Sequence, residues 1–105
     1  MKHDSYDLYQ LLNEPDGRYR FCSYEFAQSL IRAKDYTHVY SGLLDVVGTV
    51  DGILEKLYQK HNTDYPTGRE VRSMSVSDIV VLHLRGKASA WYVDSIGFQK
   101  FDWEG

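Results

Sequence analysis

Apolar residues in this chain occur mostly in short runs between turn-forming residues, and one stretch keeps a helical period throughout. Val50, Ile53, Leu54, Leu57, Tyr58 and His61 recur at i, i+3, i+4, i+7, i+8 and i+11, the spacing of one face of an amphipathic helix. Thr49 sits immediately before this stripe. Asp51 in the first turn and Lys60 and His61 in the last suit the helix dipole, and Asn62 offers a left-handed stop. Tyr6 to Leu12 mixes aromatic and aliphatic residues and runs into Asn13-Glu14-Pro15-Asp16-Gly17, which predicts a strand followed by a loop. Ser23 then caps an expected helix running to about Ala33, with Phe26, Ala27, Leu30 and Ile31 on its inner face. Asp35 to Asp45 is rich in β-branched and aromatic residues and reads as a second strand.

His61 to Ser77 has no period and contains Pro66 and Gly68, so it is expected to be a structured loop. From Asp78 onward the pattern predicts a meander. Gly86-Lys87 suits a type II′ hairpin turn, pairing Leu84 with Ser89, Leu82 with Trp91 and Val80 with Val93 on one face. Val81 with Tyr92 and His83 with Ala90 would lie on the other. A turn at Asp94 to Gly97 leads to a final strand from Phe98 to Trp103. The order β-α-β-α-β-β-β implies a single α+β domain over residues 1–105, with a mixed or antiparallel sheet and two helices on one face. The opposite face would carry Ile79, Val81, Tyr92 and His83, a half-apolar contact surface for a partner or a second copy.

A chain of 105 residues, 43% hydrophobic and 26% charged, has the composition of one folded domain. Its longest aliphatic run, Ile79 to Leu82, is far below the roughly 20 residues needed to span a bilayer. The start Met1-Lys2-His3-Asp4 is not followed by an apolar segment, so a cytoplasmic location is expected. The formal charge of −3 suits neither a protein that neutralises duplex DNA nor one that imitates it.

The chemistry is sparse. Cys22 is the sole cysteine, which excludes an internal disulfide and a CxxC site. His3, His38, His61 and His83 lack HxH or HxxxH spacing, so no metal is expected, and no phosphate-binding glycine loop occurs, so no cofactor is expected. Asp7, Asp45, Asp94 and Asp102 cannot be paired into an acid–base site by spacing, and no enzyme is expected. Arg69, Arg72, Arg85 and Lys87, near Trp91 and Tyr92, form a candidate RNA contact in which cations hold phosphate and rings stack on bases.

The segment Gly68-Arg69-Glu70-Val71-Arg72-Ser73-Met74-Ser75-Val76-Ser77-Asp78-Ile79-Val80, followed by Trp91-Tyr92-Val93-Asp94-Ser95-Ile96-Gly97-Phe98, resembles the C-terminal signature of the YodL-like domain family. Ile53 to Tyr58 and Asp35 to Tyr40 are also similar to that family, so the likeness spans most of the chain. Glu70-Val71-Arg72 and Met74 depart from the family's usual approach to the signature. Ser75, Ser77 and Asp78 have short side chains suited to fixing the turn into the third strand, and Asp94 to Gly97 would do the same for the next turn. The resemblance implies a protein of Gram-positive mobile elements and brings no catalytic residue with it. It implies a non-enzymatic counter-defence role, specifically an anti-CRISPR inhibitor that binds a type II RNA-guided nuclease and blocks guide loading or nucleic-acid engagement. On that expectation Asp94, Asp102 and Glu104 oppose the nuclease's arginines, while Tyr92, Phe101 and Trp103 supply contact area. The alternatives are an RNA-binding module acting on guide RNA and a homodimeric accessory protein.

Overall fold

A computed structural model describes residues 4–11, 22–44, 48–63 and 74–103. Five strands, β1 (Ser5–Gln10), β2 (Thr37–Leu43), β3 (Ile79–Leu84), β4 (Lys87–Val93) and β5 (Phe98–Phe101), form one sheet in the order β2-β1-β3-β4-β5. Every neighbouring pair is antiparallel. Helix α1 (Tyr24–Ala27) lies between β1 and β2 in sequence, followed by a 3-10 turn at Ala33–Asp35, and α2 (Val50–Thr63) connects β2 to β3. The α+β class and the element order are those the sequence predicts.

The first core follows from the stripe on α2. Ile53, Leu54 and Leu57 are buried against Tyr6, Leu8, Val80, Leu82 and Val93, with Val50, Tyr58, Trp91 and Phe98 packed around them. Thr49 caps the helix, its Oγ1 accepting from the Gly52 amide at 3.1 Å. His61 is the exception to its expected role. It is completely buried, and its Nε2 lies 2.9 Å from the Tyr6 hydroxyl. The i+11 position turns its ring toward the sheet, so the periodicity outweighs the dipole in placing it.

The placement of the first helix requires a correction. The two helices lie on opposite faces of the sheet. Ala27 of α1 is buried with Leu11, Tyr36, Ile79, Val81, Ala90 and Tyr92 in a second core, to which Leu30, Ile31, Phe101 and Trp103 also contribute. The unbroken apolar run of β3 requires this, because alternate residues of a strand point to opposite sides and Ile79 to Leu82 are all buried. α1 is also one turn long where three were expected, and Phe26, expected inside, is 57% exposed. Ser23 makes no side-chain cap. The Tyr24 amide donates instead to Asp94 Oδ1 at 3.1 Å, so a carboxylate 70 residues away serves that helix end.

The β3–β4 hairpin is displaced by two residues from the expected pairing. Leu84 pairs with Lys87, Leu82 with Ser89 and Val80 with Trp91, around a turn made of Arg85 and Gly86. Both have positive φ, 52° and 81°, as a type I′ turn requires at its two central positions. A shift of two preserves which face each side chain occupies, so the core assignments survive the change of register. The segment from Ser75 to Asp78 is tied into the fold: Asp78 Oδ2 accepts from the Ser75 amide at 2.9 Å and from Gln10 Nε2 at 3.1 Å, and the Ser77 carbonyl accepts from the Tyr36 hydroxyl at 2.6 Å. The Asn13–Gly17 turn and most of the loop between α2 and β3 lie outside the described residues.

The burial of His61 makes stability depend on pH. Desolvation, aided by the nearby Lys60 charge, lowers its pKa below the ordinary value of 6.5. The unfolded chain therefore takes up a proton before the folded one does, and stability falls as pH drops below about 6.5. Asp7 is shifted downward from 3.8, so its contribution is lost only at much lower pH. Melting curves at pH 7.5 and 5.5 are expected to show a drop for the wild type and a smaller one for His61→Phe; equal drops would mean the ring does not titrate as its burial dictates.

Candidate functional site

The second face of the sheet is only partly filled. Near α1 the second core closes it, but toward the β3–β4 hairpin a groove of about 560 Å³ remains between the sheet and the C-terminal segment. Val81, Ala88 and Ala90 form an apolar, small-residue floor, Ser89 also borders the groove, and Lys100, Phe101, Asp102 and Trp103 form one wall. Strand alternation supplies the polar end. Asp7 and Tyr9 of β1 share this face with His83 of β3, since Tyr6 and Leu8 point into the first core.

Asp7 is the centre of a network drawn from three adjacent strands. Ser41 Oγ donates to its Oδ1 at 2.6 Å, and His83 Nε2 lies 2.8 Å from its Oδ2. His38 Nε2 is 2.6 Å from Ser41 Oγ and 3.6 Å from Asp7 Oδ1. Partial burial alone would raise the Asp7 pKa; the hydrogen bonds from Ser41 and His83 and the nearby imidazoles outweigh it and leave the carboxyl below its ordinary value. An ionised carboxylate only accepts, so His83 carries a proton on Nε2. The one Ser41 proton is committed to Asp7, which makes His38 the donor to Ser41. A serine whose proton points at a carboxylate is not being deprotonated by its histidine, and this arrangement differs from that of a nucleophilic triad.

The aromatic wall is built by contact among its rings. The Trp103 ring centroid lies 5.4 Å from Tyr9, 5.5 Å from Tyr36 and 6.0 Å from Phe101, all at tilted or edge-on angles. Desolvation and the Asp7 charge raise the Tyr9 pKa, keeping its hydroxyl protonated beside the carboxylate. Asp102 is exposed at the rim.

Phe101, Asp102 and Trp103, expected to meet a partner, are thus brought together at this groove. Tyr92 and Asp94 are not with them. Tyr92 is fully buried, its hydroxyl donating to the Cys22 carbonyl at 2.6 Å and its ring 5.4 Å from Tyr24, so it presents no surface. Asp94 is half-buried and accepts from the Tyr24 and Ser95 amides. The face expected to be open is therefore half closed, with Tyr92 in the closed half and His83 in the open one. Arg85 and Lys87 are exposed at the hairpin tip, but Trp91 and Tyr92 point to opposite faces, the first packed on the α2 core and the second buried. Arg69, Arg72 and Glu104 lie outside the described residues. The Asp7–His83 pairing was missed because 76 residues separate its members; the available signal was that both occupy the same parity as Val81 on their strands.

A family model for the YodL-like domain matches residues 5–103, a span that takes in the five described strands and the groove. The chain belongs to the YodL-like domain family. Comparison with curated proteins and with solved structures returned no match. Within this YodL-like domain, residues 74–98 cover β3, the hairpin, β4 and the turn held by Asp94. No helix among the described residues is long and apolar enough to cross a membrane, and no group of three or more metal-ligating side chains among them is arranged to hold an ion.

Proposed function

We propose that this YodL-like domain acts by binding rather than by catalysis, as a counter-defence protein of a mobile element, and that its groove receives a basic side chain of a host RNA-guided nuclease of type II. The observation that carries this reading is the pairing of an ionised carboxylate, Asp7, with an aromatic wall of Tyr9, Phe101 and Trp103 and a second carboxylate, Asp102, at the rim. A guanidinium stacks on aromatic faces and takes carboxylate oxygens in its plane, so arginine is the side chain this set fits. Each oxygen of Asp7 accepts one internal hydrogen bond and keeps capacity for another. The commitment of the Ser41 proton to Asp7 supports binding over acyl transfer, and the family resemblance supports the counter-defence setting. Occupying arginines that line a nuclease's guide channel would block guide loading without imitation of a duplex, which suits a net charge of only −3.

Co-purification of the chain with the purified effector, with and without guide RNA, tests this. A complex that forms with the guide-free effector and is weakened by guide is expected. No complex in either state would remove the proposal, and a shift of RNA alone at low salt, lost as salt rises, would favour the nucleic-acid alternative through Arg85 and Lys87.

A further inference from the structure

We infer that β2 is a self-association edge, and that two copies of the chain join through it in antiparallel fashion about a two-fold axis at Gly42 to form a continuous ten-stranded sheet. The Leu44 amide donates to the Asp4 carbonyl at 2.9 Å, which makes Asp4 and Leu44 a hydrogen-bonded pair of the β1–β2 ladder. In an antiparallel ladder, hydrogen-bonded and non-hydrogen-bonded pairs alternate. Tyr6–Gly42 is then of the first kind, and Ser5–Leu43 and Asp7–Ser41 are of the second. Ser41 and Leu43 therefore direct their amides and carbonyls away from β1, on a side where no strand among the described residues pairs with them.

The two edges of the sheet differ in how they are guarded. β5 is four residues long, contains Lys100 and is followed by Asp102, the short charged form by which native sheets discourage pairing. β2 is seven residues long, Thr-His-Val-Tyr-Ser-Gly-Leu, with no Lys, Arg, Asp, Glu or Pro. Its one guarding device is a bulge at Val39, which falls between the partners of Leu8 and Tyr9 and leaves Tyr40 to Leu43 regular. Leu43 is 67% exposed at the end of that regular stretch.

A second copy fits this edge better than an unrelated strand because the edge is complementary to itself. With Gly42 facing Gly42 as a non-hydrogen-bonded pair, Ser41 of each copy faces Leu43 of the other. The four outward groups of each copy then meet the four of its partner, giving an isologous contact. Non-hydrogen-bonded pairs bring Cα atoms closest, and glycine admits the closest approach. With no ionised carboxylate or ammonium on the strand, no like charges oppose each other across the axis.

Sedimentation velocity of the full chain across a hundredfold range of concentration tests this. A 12.2 kDa species passing to twice that mass as concentration rises is expected for the wild type. Leu43→Pro removes one outward amide, Leu43→Lys places a charge on the edge, and both should raise the concentration for association by at least about tenfold, a shift large enough to separate from error. Asp102→Arg, in the groove, should associate as the wild type does. A wild type that stays monomeric throughout, or a dimer untouched by both Leu43 variants, would overturn the inference, whichever way the nuclease experiment falls.

Discussion

Tyr92→Ala is expected to destabilise the domain by about 3 kcal/mol or more, a melting shift of roughly 12 °C at this chain length. Tyr92 has no exposed surface and sits among Ile79, Val81, Ala90, Leu11 and Ala27, so truncation leaves a cavity in the second core. It also removes the hydroxyl bonded to the Cys22 carbonyl, a contact that holds the entry to α1 against β4. Tyr92→Phe separates the two effects: the ring stays and one hydrogen bond is lost, for about 1 kcal/mol. Thermal melts of the two variants check the ranking. An alanine variant that melts like the wild type would mean that the second face is open after all.

Leu57→Ala should cost about 2–5 kcal/mol, while Lys56→Ala should cost little. Leu57 is 5% exposed in the first core, and Lys56, one residue away, is exposed on the outer face of α2. Because α2 supplies Ile53, Leu54 and Leu57 to the packing against Val80, Leu82 and Val93, losing one of these side chains takes a large share of the stability of a small domain. Chemical denaturation of both variants is the check, and equal midpoints would place the wrong face of α2 on the sheet.

What the sequence revealed and what it concealed divide along physical lines. α2 was legible because six positions obey one period, and its terminal charges agree with it. The same stripe contained the burial of His61, which the preference for a cation at a helix end obscured. The continuous run Ile79 to Leu82 already signalled a strand covered on both faces, yet the spacing of Phe26 and Leu30 suggested a longer helix and a shared face. The start of α1 is held by Asp94, which no local pattern announces. The hairpin was displaced because Arg85 adopts a positive φ, a conformation non-glycine residues seldom take, and so placed glycine second in the turn rather than first. The site was the least legible part. Phe101, Asp102 and Trp103 were found as an aromatic, acidic terminus, but Asp7, His38, Ser41 and His83 come from three strands and meet only through the order β2-β1-β3.

The groove as a binding surface is tested most directly by titrating the guide-free effector with wild type, Asp102→Arg and Lys56→Glu. Asp102 and Lys56 are both exposed, and neither contributes to a core, so all three proteins should melt alike. Asp102→Arg is expected to bind at least about tenfold more weakly, since the reversed charge now faces the incoming cation, while Lys56→Glu on the far side of the sheet binds as the wild type does. Equal affinity for wild type and Asp102→Arg, or an equal loss in both variants, would contradict it.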